Sequence, residues 1–207
     1  MTGFGESHNP KKKSRAKKKT NMSQKKLFAK ASKSHSQGNI LEAAKYYKQL
    51  LDKGFTDPNI FNNYGSICKQ MGQTEQAIRL YRQSIQLYPK FANAHYNLGN
   101  ALRDQGKLEE AEVSARKAIE LNPNFVNAHS NLGGILIDLG KLKEAEVSTR
   151  KAIKLDPNSP ISHSNLGLIL KDQGKLEEAE VSTRKAIELN PNLANAHQNL
   201  GNILRAQ

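Results

Sequence analysis

A chain of 207 residues with 32 Lys and Arg against 19 Asp and Glu carries a formal charge of +13, with 37% apolar residues, no Trp and one Cys. The lone cysteine excludes an intramolecular disulfide, no apolar run approaches the ~20 residues that span a bilayer, and the opening MTGFGESHNPKKK lacks the apolar stretch of a secretory signal. The expected compartment is therefore cytoplasmic. The charge is concentrated at one end: residues 1–26 hold eight Lys and Arg15 against Glu6, a net +8, which leaves +5 for all the rest.

Residues 1–24 contain almost no apolar side chains and cannot bury enough surface to offset their ordering entropy, so they are expected to form a disordered Lys-rich tail. Lys11, Lys12, Lys13, Arg15, Lys17, Lys18 and Lys19 are its candidate polyanion contacts. Such a cluster binds nucleic acid or an anionic surface through counterion release or surface potential, whatever the target sequence. Only Phe4 and Phe28 lie nearby, too few aromatics for base stacking. A purely solubilising tail is the alternative.

From residue 25 a block of 34 residues recurs in register. Glycines fall at Gly65, Gly99, Gly133, Gly167 and Gly201, and again at Gly38, Gly72, Gly106, Gly140 and Gly174. Residues 104–124 return at 172–192 with one change, Thr183 in place of Ala115. Such a period marks stacked supersecondary units. The first unit, 25–57, is degenerate, with Ala31 where later units have glycine, but its second half matches through Ala43 and Tyr47. Asp57 followed by Pro58 reads as an N-cap and first helical residue for the next unit. Full units span 58–91, 92–125, 126–159 and 160–193, and a partial unit covers 194–207.

In 92–125, Ala94, Leu98, Ala101 and Leu102 recur at helical spacing until Gly106 interrupts. A second helical pattern runs through Leu108, Ala111, Ala115, Ala118, Ile119 and Leu121 and stops at Asn122-Pro123-Asn124, because proline cannot continue a helix. Each unit is thus a helix hairpin, helix A followed by helix B. The last unit has a helix A alone, which predicts an apolar edge at Leu200, Ile203 and Leu204 and end-to-end self-association.

The series His95, Leu98, Gly99, Leu102, Gly106, Ala111, Ala115, Ala118 and Pro123 resembles, offset by offset, the pattern of the tetratricopeptide repeat (TPR) family, and the resemblance covers 25–207. It implies an all-α, right-handed α-solenoid of 34-residue helix-turn-helix repeats, with helix A lining a concave groove. Two departures stand out. The family's large aromatic near the start of helix A is Phe61 once and then His95, His129, His163 and His197; its helix-B aromatic survives as Tyr47 and Tyr81 but becomes Ala115, Thr149 and Thr183. The later units are therefore expected to be less tightly filled.

The histidine series does not read as a metal site, since equivalent helices lie about 10 Å apart and metal–nitrogen bonds need about 2.0–2.1 Å. Cys68 stands where other units have Leu102, Leu136 and Leu170 and reads as a small buried hydrophobe. No HExxH, GxSxG, phosphate-loop or CxxC pattern occurs, so neither a catalytic constellation nor a cofactor is expected.

The remaining candidate is a column of asparagines, Asn63, Asn97, Asn131, Asn165 and Asn199, at one position of every helix A. A primary amide offers donors and an acceptor to a peptide backbone without reading side chains. The resemblance extends to the TPR arms of bacterial O-linked N-acetylglucosamine transferase-like proteins, where such a column holds extended substrate. On this reading Asn93, Asn127, Tyr96, Lys69, Arg103 and Lys171 join the column in a polar, mildly basic groove. Contacts within the repeat are the alternative role for the asparagines. The carboxylate clamp of heat-shock chaperone adaptors is not expected, because its Lys and Arg offsets hold Asn and Ser here.

Two functions follow from the resemblance. One is a non-enzymatic scaffold that binds an extended peptide or partner protein in its groove. The other is the substrate-recognition arm of a larger or adjacent-gene transferase whose catalytic domain is absent from this sequence.

Overall fold

The structure, a computed structural model, describes residues 10–207, with side chains from residue 23 onward. The described residues form eleven α-helices and no strand: α1 (Pro10–Ser36), α2 (Ile40–Asp52), α3 (Pro58–Gln70), α4 (Thr74–Leu87), α5 (Ala92–Asp104), α6 (Leu108–Leu121), α7 (Val126–Asp138), α8 (Leu142–Leu155), α9 (Pro160–Asp172), α10 (Leu176–Leu189) and α11 (Ala194–Ala206). They stack as a right-handed α-solenoid of hairpins. Each odd-numbered helix packs on the even-numbered helix that follows, and each even-numbered helix packs on the next hairpin. From α3 onward consecutive odd-numbered helices also touch, which places them on the inner face and leaves the even-numbered helices outside.

Local chemistry sets the ends of these helices. The Asp57 carboxylate accepts the Asn59 amide at 2.9 Å, and Pro58 fills the first helical position, where its missing N–H removes no helical bond. At the turn between α5 and α6, Gly106 has φ +71°, a left-handed conformation that a side chain would strain. There the Gly106 amide donates to the Arg103 carbonyl and the Lys107 amide to the Leu102 carbonyl, closing the helix in a Schellman motif.

Gly99 answers a different need. A Cβ there would lie 3.2 Å from the Ala111 carbonyl oxygen, so glycine and alanine let α5 and α6 cross in close contact. Ala111, Ala145 and Ala179 are fully buried at equivalent seams. In the early units Tyr47 and Tyr81 complete the core, and burial pushes the Tyr81 phenol up to about 12. At the same place in later units stand Ala115, Thr149 and Thr183.

Of the segment read as a tail, residues 1–9 lie outside the described residues. From Pro10 the backbone is helical and continuous with α1, because no Gly or Pro interrupts 11–36 and Lys and Ala form helix readily. No described helix is long and apolar enough to cross a membrane.

Candidate functional site

The inner face of α5, α7, α9 and α11 encloses two adjoining cavities of about 530 and 260 Å³. Tyr96, Arg103, Asn127, Asn131, Asn165 and Asn199 border them. Asn63, Asn93, Asn97, Lys69 and Lys171 lie outside both. The side chains of Lys11, Lys12, Lys13, Arg15, Lys17, Lys18 and Lys19 fall outside the described residues.

The asparagine column ties neighbouring helices together. Asn97 Nδ2 donates to Asn62 Oδ1 at 2.7 Å, Asn165 Nδ2 to the Ser130 carbonyl at 3.2 Å, and Asn199 Nδ2 to the Ser164 carbonyl at 3.3 Å. Each bond runs to the residue 35 positions earlier, on the preceding inner helix. Asn63 Nδ2 instead donates to Tyr47 Oη at 3.0 Å. Asn131 is 8% exposed, and its Nδ2 has no partner. The amide nitrogens of four members are thus engaged within the chain, while the oxygens of Asn97, Asn165 and Asn199 accept no bond from the described residues.

The groove is not basic as the sequence suggested. Lys69 Nζ pairs with Asp104 at 2.8 Å, Arg103 Nε with Asp138 at 2.6 Å, and Lys171 Nζ with Asp172 at 2.8 Å. Each candidate cation meets a carboxylate, so the lining is close to neutral. Arg103 reaches Asp138 across Gly134, where a Cβ would lie 2.5 Å from its Nη1.

Sequence reasoning missed the apolar part of this lining. Ile161 is 58% exposed and borders both cavities, with Leu168 and Leu193 beside it. The available signal was that Ile161 stands where the other units have Asn59, Asn93, Asn127 and Asn195. It missed a role of the histidines as well. His95 Nε2 donates to the Pro89 carbonyl at 2.9 Å, and His129, His163 and His197 repeat the bond to Pro123, Pro157 and Pro191. Each imidazole pins the start of an inner helix to the turn before it. Cys68 is buried, and that burial raises its thiol pKa. No group of three or more His, Cys, Asp or Glu among the described residues is placed to share an ion.

Fold and groove together define a helical-repeat solenoid with a groove along its inner surface. The family profile described as "Tetratricopeptide repeat" matches residues 92–125 and 160–193, a second profile of that description matches 115–147, and one described as "TPR repeat" matches 65–102 and 133–174. These matches run unbroken from 65 to 193, more than half of the chain, which belongs to the tetratricopeptide repeat family.

Solved structures of similar fold include MamA from Desulfovibrio magneticus RS-1, at 20% identity and TM-score 0.71, over 83% of this chain and 97% of that one. A thermophilic TPR protein of Thermus thermophilus aligns at 20% identity and TM-score 0.70, over 88% and 99%. YrrB, described as a TPR protein with an unusual peptide-binding site, aligns at 23% identity and TM-score 0.64, over 78% and 84%. No curated protein matches the chain.

Proposed function

We propose that the chain is a protein-interaction scaffold that holds an extended segment of a partner protein along the inner face of α5 to α11. One observation carries the reading: a continuous groove whose wall presents amide oxygens at Asn165 and Asn199 around an exposed apolar step at Ile161. With their nitrogens tied to the preceding helix, these amides are held in place as acceptors for peptide N–H groups, which pair without regard to side chain. Ile161, Leu168 and Leu193 then seat one apolar side chain of the bound segment. That YrrB, of similar fold, has a peptide-binding site supports the reading.

The test is to select binders from a displayed peptide library and measure their affinity by calorimetry for three proteins: the parent chain, Asn165→Ala/Asn199→Ala, and Ile161→Asn. Each lost amide contact is worth about 0.5–1.5 kcal/mol, so the double variant should bind about fivefold more weakly or worse. Ile161→Asn restores the residue other units carry and should relax the preference for an apolar side chain. Unchanged affinity in both variants, with helical signal intact, would sink the proposal.

The same scaffold reading gives the basic N-terminal segment a second, sequence-independent contact with polyanions, supported by its net +8 over residues 1–26. Its salt dependence is the measurement that checks it.

A further inference from the structure

The outer face carries an internal control. α6 and α10 have the same charge pattern, each net −2: Arg116 and Lys117 against Glu109, Glu110, Glu112 and Glu120, with equivalents 68 residues on. α8 lies between them and is net +2, because Lys143 and Lys154 stand where both neighbours have glutamate. In α6 Lys117 pairs with Glu120 at 2.6 Å, and in α10 Lys185 pairs with Glu188 at 2.7 Å. Lys151, the equivalent residue of α8, has Lys154 rather than a glutamate three residues on. Among the described residues Lys143, Lys151 and Lys154 form no ion pair. The arrangement forgoes the Lys–Glu pair that both neighbours have; Lys154 is favoured by the C-terminal end of the helix dipole, but Lys143 stands in the first turn, where the glutamate of both neighbours is the favoured charge.

These lysines surround an apolar feature. Val147 is 72% exposed between Lys143 and Lys151. On the α6 side opens a cavity of about 690 Å³ whose apolar lining is Ile119, Leu132, Leu136 and Val147; Lys143 and Lys151 border it, as do Glu120 and Glu144, which are paired with Lys117 and Arg116. On the α10 side an equivalent cavity of about 460 Å³ lies over Ile153 and Leu166, with Lys154 at its rim. His129 and His163 stand where the early unit has buried Phe61, and their rings turn to the Pro123 and Pro157 carbonyls.

We propose that this outer face docks an acidic segment of a partner protein. An aromatic or large aliphatic side chain of that segment sits between α6 and α8, and its flanking carboxylates lie on Lys143, Lys151 and Lys154. The charge pattern favours a narrow occupant. A nucleic-acid duplex or a membrane surface would extend over α6 and α10, whose net negative charge repels it, whereas an extended peptide running along α8 meets a net positive strip, with Lys143, Lys151 and Lys154 in no ion pair and Glu144 and Glu146 already paired with Arg116 and Arg150. The apolar cavity likewise calls for a side chain rather than a phosphate. This site is independent of the inner groove, which lies on the opposite face.

The variant Lys143→Glu/Lys154→Glu gives α8 the stripe that α6 and α10 already carry, so the fold has internal precedent for it. The probe is a fluorescent peptide of Glu and Ser with one central Phe, compared with the same peptide carrying Ser in place of Phe, each titrated by anisotropy into the full chain. Both peptides bring equal charge to the N-terminal lysines, so the difference between them isolates the cavity. Tighter binding of the Phe peptide is expected, weakened about tenfold in the double variant and unchanged in Asn165→Ala/Asn199→Ala. Three results would overturn the proposal: equal binding of the two peptides, undiminished binding by the double variant, or dependence on the groove asparagines. So would tighter lysine-dependent binding of an oligonucleotide or of phosphatidylserine vesicles.

Discussion

Substituting alanine at two equivalent glycines separates intrinsic helix propensity from the geometry of stacking. Gly99 and Gly201 occupy the same position in α5 and α11, and glycine inside a helix costs about 0.8–1.0 kcal/mol relative to alanine. A Cβ at Gly201 meets nothing within 4 Å, so Gly201→Ala should realise most of that gain. A Cβ at Gly99 would stand 3.2 Å from the Ala111 oxygen and 3.4 Å from the Ala115 nitrogen. Both are backbone atoms of α6, and neither can rotate away. The two helices must part by a few tenths of an ångström along a seam where Ala101, Ala111 and Ala115 are fully buried. Overpacking of that kind costs about 1–3 kcal/mol, which offsets the propensity gain and leaves Gly99→Ala neutral to about 2 kcal/mol destabilised. Because a repeat array need not unfold in one step, the assay is hydrogen exchange resolved to α5, α6 and α11, backed by urea titration of helical ellipticity. If Gly99→Ala protected its hairpin as much as Gly201→Ala protects α11, the close-approach argument would fail.

Acid should weaken the array through two shared carboxylates. Glu112 is held below the ordinary glutamate value of 4.5 chiefly by its hydrogen bond from Lys141 and also by Arg116; Glu146 is held down chiefly by Gln173 and also by Arg150. A carboxylate with a lowered pKa in the folded state contributes stability above the unfolded value and loses it as pH falls through the folded one. Urea midpoints should therefore drop below about pH 4.5, and Glu112→Gln/Glu146→Gln should flatten that drop; an identical pH profile in the variant would contradict the assignment. For the basic segment, binding to a homopolymeric single-stranded oligonucleotide should fall linearly on a log–log salt plot, with a slope of about −0.7 per phosphate contact. Replacing Lys11, Lys12, Lys13, Lys17, Lys18 and Lys19 by Gln should shallow the slope, and a slope that stays the same would place the contact elsewhere.

The hairpins were legible because their punctuation is local. Gly106 ends one helix and Pro123 the next through backbone conformation alone, and both recur at fixed offsets. The asparagine column was legible as a position but not as a set of bonds. The partners of Asn97, Asn165 and Asn199 lie 35 residues back, on a neighbouring inner helix, so they appear only once the hairpins stack. Arg103 and Asp138 are separated by the same interval, which is why a lining read residue by residue looked basic while the assembled groove is near neutral. The histidine bonds fall six residues from each proline and could have been sought as a recurring offset, but a packing role for the ring gave no reason to look for an acceptor.

Repetition turns departures from the pattern into evidence about use. Residues that build the stack, such as Ala111, Ala145 and Ala179 or Leu102, Leu136 and Leu170, recur in the last three full units because each satisfies the same packing geometry. Departures in the third and fourth full units do not improve that packing. Ile161 exposes apolar surface where asparagine would be solvated, Gly134 gives up helix propensity to let Arg103 cross, and Lys143 and Lys154 replace glutamates that would balance their surroundings. Ile161, Gly134 and Lys143 each cost stability locally, and with Lys154 they cluster on α7, α8 and α9. Since a stack transmits stability mainly between neighbours, a weakness there is tolerated as long as the flanking hairpins are sound, and Tyr47 and Tyr81 fill the early units. Early repeats filled for cohesion, beside later ones that depart from the packing pattern, are the physical reason to place both proposed binding surfaces in the same part of the chain.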